Sequence, residues 1–104
     1  MIRSFSYAAH SALNERLSEQ DAVPVAERKN LMAWARLWER GVSAEFLHSY
    51  RQTIARNPAL LPPPQQAQAL LEAYLLEKAL YELLYELNNR PAWLRIPLAG
   101  ILAL

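Results

Sequence analysis

Apolar residues recur at helical spacing along nearly the whole chain, and proline-rich breaks divide them into segments. From Ile2 to about Leu17, the positions Phe5, Ala8, Ala9, Leu13 and Leu17 form one stripe, with Arg3, Asn14 and Glu15 on the opposite side. This is the three-to-four-residue repeat of an amphipathic helix. The SEQDAVP stretch breaks it, and Pro24 suits the first turn of a second helix. From Val25 to about Ile54 the stripe continues through Leu31, Trp34, Trp38, Val42, Phe46, Tyr50 and Ile54. Gly41 interrupts this segment at a cost of about 1 kcal/mol relative to alanine. The stripe stays in phase across it, so one long helix is expected, bent at most there.

Asn57 to Pro64, NPALLPPP, is a stiff connector that cannot continue a helix. A third helix is predicted from about Gln65 to Asn88, ended by Asn88-Asn89-Arg90-Pro91, because the residue before a proline is pushed out of the helical region. Pro91 and Pro97 can each open a short helix, the second covering Leu98 to Leu104. No strand pattern or internal repeat is present. The pattern predicts an all-α fold over residues 1–104 as a single helical domain: two long helices packed antiparallel, with two or three short ones laid against them.

The third helix has two faces of different character. Leu76, Leu80, Leu83, Leu84 and Leu87 fall on one side, and Tyr74, Lys78, Tyr81, Tyr85 and Asn88 on the other. Only the first is needed to order a surface helix. The second is too aromatic for a plain solvated face. Tyr81 and Tyr85, one helical turn apart with Lys78 and Glu82 beside them, combine apolar rings with polar tips and suit a ligand of mixed character such as a sugar. Packing of these rings against another helix or domain is the simpler explanation of the pattern, and from the pattern alone it is the favoured one.

Composition supports the helical reading: there are two glycines, and alanine, leucine, glutamate, glutamine and arginine are abundant. The seven prolines lie mostly between the periodic segments. Eleven basic against ten acidic residues give a net charge of +1 with no basic block, so no nucleic-acid surface is indicated. The longest apolar stretch, Ile96 to Leu104, is too short to span a bilayer. MIRSFSYAAH has no apolar core of a secretory signal. With no cysteine there is no disulfide framework or thiol nucleophile, which fits a cytoplasmic protein. The chain opens inside a helical pattern with no capping residue ahead of it, so a segment cut from something longer is expected.

The chemical inventory is thin. Gly41 and Gly100 form no phosphate-covering loop, and Asp21 is the single aspartate, too few groups for phosphoryl transfer. His10 and His48 have no carboxylate at ligand spacing and are expected to be ordinary histidines, leaving no metal site. Ser4, Ser6, Ser11, Ser43 and Ser49 lie in helical patterns without a nucleophile elbow. Glu82 and Glu86 share one helix face, where the opposed carboxylates of a glycosidase do not arise. They are expected to form a solvated helix edge. No catalytic residue is assigned.

Two segments resemble the maltokinases, ATP-dependent kinases related in fold to aminoglycoside phosphotransferases and often fused behind a trehalose synthase domain. IRSFSYAAH, residues 2–10, is similar to the helix that follows the family's metal-binding acidic motif. AYLLEKALYELLYELNNRPAWLRIPLAGI, Ala73 to Ile101, is similar to its C-terminal signature. The resemblance implies that this chain is the last, helical part of a kinase C-lobe. The parent enzyme would phosphorylate maltose to maltose 1-phosphate with ATP and magnesium, in α-glucan and trehalose metabolism. The chain departs from the family in lacking the N-lobe, the catalytic loop and the metal-binding motif, so the isolated chain is expected to be inactive and to need no cofactor of its own. By the same resemblance Lys78, Tyr81, Glu82, Tyr85 and Trp93 would contact the acceptor sugar, while Arg90 and Trp93 serve equally well as a structural lock on the turn. The alternative is a stand-alone helical module whose tyrosine face docks a protein. As a cut-out with uncovered apolar surface, the chain is expected to self-associate.

Overall fold

The computed structural model describes residues 1–18 and 23–104. Every regular element among them is helical: α1 (Ile2–Ser18), α2 (Val25–Ile54), a 3-10 turn at Pro58–Leu60, α3 (Pro64–Asn89), a second 3-10 turn at Pro91–Trp93, and α4 (Arg95–Leu102). The chain is all-α. Most of the break expected after α1 lies at residues 19–22, outside the described residues. The described residues form two compact units, Met1–Leu47 and His48–Leu104.

In the first unit, aromatic rings and one buried polar link join α1 to α2. Phe5 meets Trp38 edge-on with ring centroids 6.4 Å apart, and meets Phe46 at 5.9 Å. Ser6 is buried and donates its hydroxyl hydrogen to Glu39, while accepting from Arg3 Nη1 at 3.2 Å. The buried positions of α1 are therefore Ser6 and Ala9. Ala8, expected in the buried stripe, is exposed, and Arg3, expected on the wet side, is half-buried. Arg3 and Ser6 belong to one hydrogen-bonded chain that ends on Glu39 of α2. Ala8, Ala12 and Leu13 on α1 and Leu31, Trp34 and Trp38 on α2 line an open apolar groove of about 520 Å³.

Helix α2 begins where Pro24 predicts, the proline carbonyl accepting from the Arg28 N–H at 3.0 Å. It runs unbroken through Gly41, and an added Cβ at Gly41 would meet nothing within 4 Å. Gly41→Ala is therefore expected to stabilise the protein by about 1 kcal/mol through helix propensity alone. A raised urea midpoint with an unchanged slope is the result that agrees; a lower midpoint would show that the glycine is needed there.

In the second unit, Asn57 caps the first 3-10 turn, its Oδ1 accepting from the Ala59 N–H at 3.3 Å. Pro64 then opens α3 at a position where a missing N–H costs nothing. Arg51 Nη2 donates to Gln68 Oε1 at 3.0 Å, tying the last turns of α2 to the start of α3. Helix α3 packs against α4 and the second 3-10 turn. The buried residues of α3 are Ala79, Glu82 and Glu86, and those of α4 are Ile96 and Pro97. The leucine side, expected to be the packed one, is largely exposed at Leu76, Leu80, Leu84 and Leu87. Helix α4 also starts earlier than expected, at Arg95, so that Pro97 lies within its first turn rather than ahead of it. A first-turn N–H has no partner inside the helix, so the proline fits without breaking a bond.

Candidate functional site

The C-terminal third of α3 and the turn after it bring together most of the residues of chemical interest. The helix ends by satisfying its own last carbonyls. Asn88 Nδ2 donates to the Leu84 carbonyl at 2.9 Å, Asn89 Nδ2 to that of Tyr85 at 2.8 Å, and the Arg90 N–H to that of Glu86 at 2.8 Å. Arg90 leaves the helix with φ −143° and ψ 70°, as the proline after it requires. Its carbonyl then accepts from the Trp93 N–H at 2.9 Å, which fixes the 3-10 turn.

The side chain of Arg90 turns back along the helix it has just left. Its Nε and Nη2 donate to Glu86 Oε2 and Oε1 at 2.9 and 2.8 Å, a bidentate fork on a carboxylate that is only 1% exposed. The guanidinium carbon lies 4.6 Å from the centre of the Trp93 ring and 5.6 Å from that of Tyr85. One cation thus contacts two aromatic rings and a buried anion. Farther along the helix, Lys78 Nζ sits 4.8 Å from the centre of the Tyr81 ring.

The residues expected to contact a ligand fall into three places. Lys78 and Tyr81 form an exposed pair on α3. Tyr85, also exposed, and the half-buried Trp93 are linked through Arg90. Glu82 belongs to the buried strip with Ala79 and Glu86. The expectation of a solvated edge at Glu82 and Glu86 is thus corrected. The strip between the tyrosine and leucine faces is the buried one, and the Arg90 fork offsets the desolvation of Glu86. Glu86 and Arg90 are the residues that periodicity passes over. Their i, i+4 spacing was the available signal, obscured because Arg90 lies past the helix end.

Both carboxylate oxygens of Glu86 are held by the Arg90 guanidinium. Among the described residues no three His, Cys, Asp or Glu side chains converge on a point, and every buried side-chain nitrogen or oxygen has a hydrogen-bond partner. What the arrangement offers is a row of aromatic rings with cations beside them, suited to binding. No family model matches the chain, and no solved structure matches it.

Proposed function

We infer that the chain is the C-terminal helical part of a cytoplasmic, ATP-dependent maltose kinase and supplies contacts to the acceptor sugar. The observation that carries this reading is the exposure of Lys78, Tyr81 and Tyr85 along α3, with Trp93 held at its end by Arg90. A pyranose has an apolar C–H face that stacks on such rings and hydroxyls that bond to their polar neighbours. The segment resembling the maltokinase signature, Ala73 to Ile101, also coincides with the packed corner of α3, the 3-10 turn and α4. Much of that signature has a structural account: Glu86, Arg90, Trp93 and Pro97 build the corner, leaving Tyr81 and Tyr85 free to meet a ligand.

The residues of this chain do not fit the nucleotide or magnesium of such an enzyme. Its two glycines are far apart in sequence, and among the described residues no carboxylates or histidines cluster. Those groups would be held elsewhere in the parent enzyme, and no phosphoryl-transfer step is assigned to this chain. In a kinase carrying it, Tyr81→Ala is expected to raise the maltose KM about tenfold, equivalent to about 1.4 kcal/mol, with the ATP KM unchanged. An unchanged maltose KM in both Tyr81→Ala and Tyr85→Ala would remove the sugar-platform reading. Glu82, being buried, is expected to affect folding more than binding.

A second reading, a helical module that docks a protein, is favoured by the exposure of Trp34 and Leu37 on α2. An in-frame kinase lobe encoded upstream of Met1 supports the first reading, and a stop codon there supports the second.

A further inference from the structure

Leu76, Leu80, Leu83 and Leu87 are spaced four, three and four residues apart on α3. This is the alternating a/d repeat of a two-helix seam, with Ala73 one step before it. The buried residues of α3, Ala79, Glu82 and Glu86, lie on the neighbouring strip, and within the seam only Leu83 is half-buried. Leu76, Leu80 and Leu87 are 40%, 51% and 53% exposed, and Leu84 at the seam edge is 62% exposed.

We propose that this seam is a self-complementary interface that takes the same helix of a second copy, running antiparallel. The four-three-four spacing reads the same in both directions. A two-fold axis between Leu80 and Leu83 therefore sets Leu76 against the second copy's Leu87 and Leu80 against its Leu83, with every layer leucine on leucine. Charge selects the direction. In a parallel, in-register pair Glu72 of each copy lies at the flanking position beside Glu77 of the other, two like-charge contacts that the antiparallel arrangement separates. Both glutamates are exposed and stand beside the seam.

The extent of the seam sets the strength. Ala73 to Leu87 spans about 21 Å of helix, and a stable interface takes on the order of 800 Å² from each partner. So short a seam on a single helix falls below that area, so the dimer is weak and forms in a concentration-dependent way, within roughly the micromolar to millimolar range. This inference stands apart from the sugar reading, which uses the opposite face of α3.

The chain has no cysteine, so single cysteines report on the pairing directly. Leu76→Cys and Leu87→Cys are prepared separately and then mixed under mild oxidation. The antiparallel seam gives a mixed disulfide in the mixture and none in either variant alone, because like positions then lie about 16 Å apart along the axis, beyond disulfide reach. In sedimentation of the unmodified chain the mass rises to that of a dimer with concentration. Leu80→Gln, an exposed substitution expected to keep the circular dichroism of the parent, weakens the dimer at least tenfold, whereas Leu37→Gln on α2 leaves it intact. The proposal is overturned by a monomeric mass at about 1 mM, by disulfides in either variant alone, or by a dimer that Leu80→Gln leaves unchanged.

Discussion

Replacing Arg90 with alanine is expected to lower the unfolding free energy of the α3–α4 unit by about 2–3 kcal/mol. The substitution strips the bidentate donor from Glu86, a carboxylate that is 1% exposed and cannot turn out to water without opening the helix end. Removing one partner of a fully buried pair costs about 3–5 kcal/mol. The Arg90 side chain is itself 46% exposed, which lets water screen the fork and places the effect below that range. The loss includes the contacts that the guanidinium makes with Trp93 and Tyr85. Arg90→Lys keeps the charge but neither the fork nor the flat stacking surface, so it is expected to recover less than half of the loss. Urea denaturation followed by circular dichroism measures both. A loss below about 0.5 kcal/mol in the alanine variant, the range of ordinary surface changes, would mean that the pair does not hold the corner together.

The second large effect lies across the same corner. Ile96, in the first turn of α4, is 2% exposed and is the largest aliphatic side chain of the buried set. Ile96→Ala is expected to cost about 3 kcal/mol, the lost transfer free energy plus the void left behind, and Ile96→Val about 1 kcal/mol. Leu84→Ala on the exposed side of α3 is the control, expected to change stability by less than about 0.5 kcal/mol in the monomer. If the leucine face were instead the packed one, the order of Ile96→Ala and Leu84→Ala would invert. The same urea titrations would show it.

Which parts of this fold could be read from the sequence depends on the kind of signal each part leaves. Helix limits were legible because prolines punctuate them. Val25 to Ile54 matches α2 at both ends, and Pro64 and Pro91 stand where α3 begins and where the next turn opens. The phase of α2 across Gly41 was legible for the same reason, since one glycine changes propensity without shifting the periodicity. The packed side of α3 was not. A hydrophobicity pattern gives weight to leucines and none to Ala79 or to a glutamate, yet the residues that α3 buries are Ala79, Glu82 and Glu86. The Arg90 fork makes the burial of Glu86 tolerable. On α1 Ser6 is buried and Ala8 exposed, and Ser6 donates to Glu39 of α2, an acceptor that no pattern within α1 reveals. Of the residues expected at the site, the exposed aromatic pair and its lysine were legible from spacing. The burial of Glu82 and the coupling of Tyr85 to Trp93 through Arg90 depend on tertiary contacts.

Helix α2 extends over thirty residues, and none of them is buried. Its amide protons therefore have little tertiary structure guarding them. They exchange with solvent through local fraying and brief loss of a turn, at a free-energy cost well below that of global unfolding. The amides between Ala79 and Arg90 lie where α4, Ile96 and the buried carboxylates must separate before the backbone opens. Helix α2 thus exchanges mainly by local opening, and the buried segment of α3 exchanges more slowly.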